Sequence, residues 1–253
     1  MSKLAPNSSL GGKTALIVGG SGGIGAATAR TLAAAGANVI ITFRSDKNGA
    51  DDIVASLPGA GHAALQTIIE EAASVAALRQ ALDHRGCGLD ILVNAAGFTK
   101  PAPHSDLDAL DDDLIDSIFA VNWRGQFAVI RALKPLLAAS GDGLIVNVSS
   151  LGGQTGVGSN IAYCAAKAGI DVMTKSLARA LAPTIRVMAV SPGVVDTDFV
   201  PGRDAAANAK IAATIPLKRV ATPEDCAAAI TACATHLIYS TGSIVTVDGG
   251  RAL

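Results

Sequence analysis

The chain has 253 residues, half of them hydrophobic and 16% charged, with a formal net charge of -1. That composition excludes a disordered chain, and the balanced charge offers no electrostatic footprint for nucleic acid or an anionic membrane surface. No apolar run is long enough to span a bilayer, residues 1–10 lack a secretory pattern, and Cys87, Cys164, Cys226 and Cys233 form no disulfide framework, so a cytoplasmic protein is expected.

In chain order, short β-branched runs alternate with alanine-rich segments. The first strand, over 14–18, runs into a glycine turn and a helix over 24–35. Glycines permit the tight turn and let backbone N–H groups reach a pyrophosphate at the positive end of the helix. Gly19, Ser21, Gly22, Gly23, Ile24 and Gly25 are therefore expected to hold a nucleotide. The second strand, over 38–43, ends in Arg44-Ser45 with no acidic residue at its tip. An acid there would accept hydrogen bonds from a ribose 2′-hydroxyl and repel a 2′-phosphate. Arg44, with Ser45 and Lys47 beside it, is expected to bind that phosphate, which favours NADP(H) over NAD(H).

Further helices are predicted over 47–56, 72–84, 110–119, 125–139, 162–181 and 223–236, the last capped by Thr222 with Pro223 in its first turn. Further strands are predicted over 63–67, 89–93, 144–148, 185–190 and 243–247. These strands are mostly apolar throughout, as in a sheet covered on both faces. The alternation predicts an α/β fold, one doubly wound (Rossmann-type) parallel sheet of seven strands with helices on both faces, in a single domain over 1–253. The segment 196–216 interrupts the alternation. It reads as a substrate lid in preference to a plain surface excursion. The histidines His62, His84, His104 and His236 are scattered, and no metal site is expected.

Past the fifth strand stand Ser150, Tyr163 and Lys167. A lysine four residues after a tyrosine on a helix puts ammonium and phenol on one face. The cation would stabilise a phenolate and draw the phenol below its ordinary value of about 10. The serine hydroxyl would hold a carbonyl oxygen beside the phenol. Many such pairs are only helix-surface neighbours, so their company decides the matter.

That company resembles the short-chain dehydrogenase/reductase family over nearly the whole chain. Gly19, Gly23 and Gly25 are in register with its T-G-x-x-x-G-x-G turn, and Asn94-Ala95-Ala96-Gly97 is similar to its N-N-A-G element beside the cofactor. Asn122 falls where the family keeps a catalytic asparagine, and Ser150, Tyr163 and Lys167 match the other catalytic positions. Ser191-Pro192-Gly193-Val194-Val195-Asp196-Thr197 resembles the P-G-x-x-x-T segment, which would place Pro192, Gly193, Val195 and Thr197 at the nicotinamide carboxamide. Val247-Asp248-Gly249-Gly250 is similar to the usual ending. Two positions depart: Val18 replaces a threonine that ties the turn to the neighbouring strand, and Ile68 replaces an aspartate that would bond the adenine amino group.

The resemblance implies reversible hydride transfer between nicotinamide and a carbonyl or secondary alcohol. Tyr163 would be the proton donor, with Ser150 steadying the oxygen. Lys167 would lower the phenol and bind the nicotinamide ribose, and Asn122 would support a water leading to Lys167. It also implies a homotetramer built on the segments 125–139 and 162–181 and the last strand. Leu151, Gln154, Thr155, Asn160, Phe98 and Phe199 are expected around the small-molecule substrate, a mix that selects none. A broad carbonyl reductase is the first reading. A 3-oxoacyl-[acyl-carrier-protein] reductase is the second: Arg131, Lys134 and Arg179 could meet a carrier, whereas Ala182-Pro183-Thr184 lacks the basic residue often found there. A non-catalytic NADP(H)-binding regulator is a third reading, disfavoured because Tyr163 and Lys167 are both present.

Overall fold

The computed structural model describes residues 9–86 and 88–253; the expectations for residues 1–8 and Cys87 lie outside the described residues. Seven parallel strands, β1 (Thr14–Val18), β2 (Asn38–Phe43), β3 (Ala63–Gln66), β4 (Ile91–Asn94), β5 (Gly143–Val148), β6 (Ile185–Pro192) and β7 (Ile244–Val247), form one sheet. Their order is β3-β2-β1-β4-β5-β6-β7. Every residue of β1 and β5 is buried, because both faces of the sheet are covered.

The pleat sends successive side chains to opposite faces and so feeds two cores. Ala15 and Ile17 enter the core under α1 (Gly23–Ala34), α2 (Lys47–Ser56) and α9 (Pro223–Thr235), where Leu32, Ile53 and Ile230 meet them. Leu16 and Val18 enter the core under α3 (Ala72–Arg85), α5 (Gln126–Ala139) and α7 (Ile161–Leu181), with Leu78, Leu133 and Ile170. Burial of each such side chain contributes about 1.5–3 kcal/mol. Cys226 and Cys233 are fully buried core thiols; with Cys164 they are free. Among the described residues no helix is long and apolar enough to cross a membrane, and no cluster of His, Cys, Asp or Glu could hold a metal ion.

The helix expected over 110–119 is present over 112–119, whereas the π-helical turn after it and two further helices were not legible in the sequence. α4 (Asp112–Phe119), whose N-terminus is set by the Asp111 side chain accepting from Leu114 N–H at 2.8 Å, runs into a π-helical turn (Ala120–Gly125) and on into α5. The short helix α6 (Leu151–Thr155) follows β5 directly. Within the segment 196–216, α8 (Ala205–Thr214) forms behind an Asp204 cap and buries none of its residues, so no apolar stripe announces it.

Candidate active site

All strands point the same way, so their C-terminal ends share one edge, and the strand order reverses between β1 and β4. Ligands of open parallel sheets bind at such a switch point. There, Gly19 takes φ +77°, and a Cβ on it would come within 2.7 Å of the Ala96 backbone. Val18 removes a threonine hydroxyl from this turn, but Thr42 on β2 supplies one from the other side. Its Oγ1 accepts from Gly19 N–H at 3.1 Å, and its carbonyl accepts from Gly20 N–H at 3.0 Å.

α1 then starts at Gly22 with no side-chain cap. By contrast α2, α4, α7, α8 and α9 are capped by Asp46, Asp111, Asn160, Asp204 and Thr222. The uncapped N–H groups of α1 open into a cleft of about 1110 Å³, with Ser21, Gly22, Gly23, Ile24 and Gly25 on its wall. A Cβ on Gly22 would stand in open space. Bare N–H groups at a positive helix end fit a pyrophosphate.

At one end of the cleft Arg44 lines the wall, whereas the neighbouring Ser45 does not. Lys47 is also off the wall and pairs with Asp51 along α2 at 2.5 Å. Arg44 forms an ion pair with Glu70, which the sequence reading overlooked. Ile68 is off the wall, its N–H held by Ser74 Oγ at 2.8 Å, while Thr67 and Ile69 are on it. Thr67 Oγ1 is buried without a partner, which leaves it for a polar ligand group there. Ala95, Ala96 and Gly97 form the floor. Asn94 lies beneath it, fully buried, donating from Nδ2 to Asn147 Oδ1 at 2.9 Å; Asn147 in turn donates to Thr174 Oγ1 at 2.9 Å.

At the other end Ser150, Tyr163 and Lys167 share the wall with Pro192, Gly193, Val195 and Thr197. Ser150 caps α6, its Oγ accepting from Gly152 N–H at 3.1 Å, and hydrogen-bonds the Tyr163 phenol. Lys167 Nζ stands 5.6 Å from the Tyr163 ring centroid and donates to the Val148 carbonyl at 2.8 Å. The expected lowering of the phenol is not found. Burial pushes Tyr163 up to about 12 and outweighs the Ser150 hydrogen bond. Burial also draws Lys167 down to about 8, against the opposing pull of Asp171. The ammonium is turned onto a carbonyl, and the ring is shut away from water.

Asn122 is off the wall. From the π-helical turn its Oδ1 accepts from Phe98 N–H at 3.2 Å, and its Nδ2 donates to the carbonyls of Phe98 at 2.7 Å and Ile118 at 2.9 Å. Leu151, Phe98 and Phe199 do line the cleft, Phe199 meeting the Tyr163 ring at 5.9 Å between centroids. The other three expected substrate residues are turned elsewhere. Gln154 donates to Ser191 Oγ at 2.9 Å, Thr155 to the Leu151 carbonyl at 3.0 Å, and Asn160 is buried as the cap of α7. Arg203 and Arg251 also reach the wall. Arg203 donates to the carbonyls of Val195 and Thr197 in the loop after β6, and Arg251, past the end of β7, donates to Thr214 Oγ1 at the end of α8 at 3.3 Å. No motif marked these cations; only the fold brings them together.

A family model described as enoyl-(acyl carrier protein) reductase matches residues 19–252. The chain is 40% identical over 243 residues to cis-4-hydroxycyclohexanecarboxylate dehydrogenase of Sinomonas cyclohexanicum, covering 94% of this chain and 96% of that one. It is 35% identical over 241 residues to the 3-oxoacyl-[acyl-carrier-protein] reductase of Escherichia coli, covering 94% and 97%. The crystal structure of a short-chain dehydrogenase/reductase (glucose/ribitol dehydrogenase) from Brucella melitensis matches with a TM-score of 0.89 at 29% identity, over 96% and 98% of the two chains.

Proposed function

This chain belongs to the short-chain dehydrogenase/reductase family of oxidoreductases, which act on hydroxyl and carbonyl groups, and we propose that it is an NADPH-dependent reductase of a small carbonyl compound. One observation carries the proposal: Ser150, Tyr163 and Lys167 stand on the wall of the same cleft into which the uncapped N-terminus of α1 opens. A nicotinamide held in this cleft would supply the hydride. Tyr163, kept protonated by burial, donates its proton to the substrate oxygen, and Ser150 hydrogen-bonds that oxygen as charge grows on it. The Lys167 ammonium, 5.6 Å from the Tyr163 ring centroid, would stabilise the phenolate that remains and hold the nicotinamide ribose. Arg44 would hold the 2′-phosphate of that cofactor, and Thr67 its adenine end. Asn122 acts by pinning Phe98 to the π-helical turn, which holds the floor of the cleft in place.

The Escherichia coli relative favours 3-oxoacyl-[acyl-carrier-protein] reduction as a second reading, with Arg124 and Arg131 lining one groove beside Glu70. Assembly into a homotetramer fits the outer face of α7, where Ile161 and Val172 are exposed. The deciding experiment follows NADPH oxidation with ketones, 3-oxoacyl thioesters and sugar-derived aldehydes, with NADH in parallel. Tyr163-dependent turnover supports the reductase and names its substrate class. Tight NADPH binding with no turnover on any of them would favour a cofactor-binding regulator.

A further inference from the structure

Arg44 and Glu70 reach the cleft wall from different elements. Arg44 follows β2; Glu70 lies in the connection between β3 and α3; their side chains form an ion pair there. Their backbones are held as well. The Arg44 carbonyl accepts from Gln66 Nε2 at 3.0 Å, and the Glu70 carbonyl accepts from Arg124 Nη1 at 3.2 Å. The Glu70 side chain is 18% exposed and that of Arg44 63%, so the carboxylate is the fixed partner and the guanidinium the movable one.

The tip of β2 carries no carboxylate of its own, and Glu70 delivers one to the same place from the next strand connection. A 2′-phosphate is attracted by the guanidinium and repelled by the carboxylate. A ribose 2′-hydroxyl, in contrast, donates to a carboxylate in a charge-assisted bond and, being neutral, gains far less than a phosphate does from accepting a guanidinium N–H. We propose that Glu70 is a specificity-determining residue for the cofactor: it holds Arg44 in the free protein and moderates the preference for a 2′-phosphate, so that the chain binds both phosphorylated and unphosphorylated dinucleotides. The inference rests on the reading of the cleft as a nicotinamide-dinucleotide site.

Equilibrium binding of NADP⁺ and NAD⁺, by calorimetry, tests it in the full chain and in Glu70→Gln, Arg44→Gln and the double variant. Glu70→Gln is expected to raise the ratio of NADP⁺ to NAD⁺ affinity about tenfold. Arg44→Gln is expected to lower that ratio, more steeply in the Glu70→Gln background than alone, as coupled residues do. A ratio that stays within threefold on Glu70→Gln overturns the inference while leaving the site reading intact. Binding of neither dinucleotide to the unsubstituted chain overturns the site reading and the inference with it. Tighter NAD⁺ than NADP⁺ binding in the unsubstituted chain overturns the proposed NADPH preference alone.

Discussion

Asn160 Oδ1 accepts a hydrogen bond from the Tyr163 backbone N–H at 2.7 Å, so the residue that starts α7 also fixes the backbone of the residue whose phenol meets Ser150. Its Nδ2 spans to the Lys100 carbonyl at 2.8 Å and Thr99 Oγ1 at 3.3 Å. Position of the phenol is thereby tied to the loop after β4.

Asn160→Ala should cost about 2 kcal/mol of stability, since it removes a cap and leaves buried groups unpaired. Asn160→Ser keeps an acceptor for the Tyr163 N–H and loses only the Nδ2 bonds, so it should cost about half as much. Urea denaturation of the two variants measures both values. Equal losses would mean that the cap itself contributes nothing.

Tyr163→Phe should reduce turnover by about 10³-fold while dinucleotide affinity stays within about twofold. Single-turnover absorbance at the nicotinamide band, with calorimetry alongside, separates the two effects. The variant loses only a hydroxyl from a residue 9% exposed, so its unfolding midpoint should shift little.

The pH dependence should follow Lys167 and not Tyr163. With Lys167 drawn down to about 8 and Tyr163 pushed up to about 12, the phenol keeps its proton across the working range while the ammonium is lost as pH rises through about 8. Carbonyl reduction is expected to be level near pH 6–7 and to fall above about 8, a limb that Lys167→Met removes at much lower overall rate.

Stability responds with a definite sign. Between about 8 and the ordinary lysine value of 10.5 the unfolded chain binds more protons at Lys167 than the folded one does. The buried ammonium therefore destabilises the fold in full below about pH 8, and that penalty is relieved as pH rises through the window. Lys167→Met, which removes a buried cation of similar length, should raise stability at pH 7 by about 1–3 kcal/mol, less whatever the orphaned Val148 carbonyl costs. Chemical denaturation at pH 7 and pH 10 checks the direction and its narrowing.

Gly19→Ala should destabilise by about 2 kcal/mol or more, because the added Cβ meets the Ala96 backbone in a left-handed conformation that disfavours side chains. Thermal unfolding measures it, and dinucleotide affinity should fall in the same variant.

The sheet was largely legible because its strands are continuous apolar runs; β1 and β2 begin and end at the expected residues. The expected asparagines were less legible. Asn94 and Asn122 stand in recognisable motifs and Asn160 was placed only by its position near the catalytic residues, yet each turns its amide inward to groups that the fold buries. An amide both donates and accepts, which suits it to such work, and a motif gives a residue's type without its direction. Thr42 escaped notice because its hydroxyl compensates Val18 across a strand pair, 24 positions away in sequence terms that no local window spans. Arg203 and Arg251 were hidden for the same reason, and α8 because an exposed helix needs no apolar periodicity.

The cleft wall takes residues from Val18 at one extreme to Arg251 at the other, with β1 and β4 meeting only after two intervening strands have formed elsewhere. Only a chain that reaches Arg251 therefore carries the whole wall of the site. During synthesis the ligand should lend its full stability only once almost the whole sequence has emerged, and afterwards its binding energy is shared by the entire sheet. Ligand occupancy should then protect the strands at both edges from proteolysis together, as one cooperative unit.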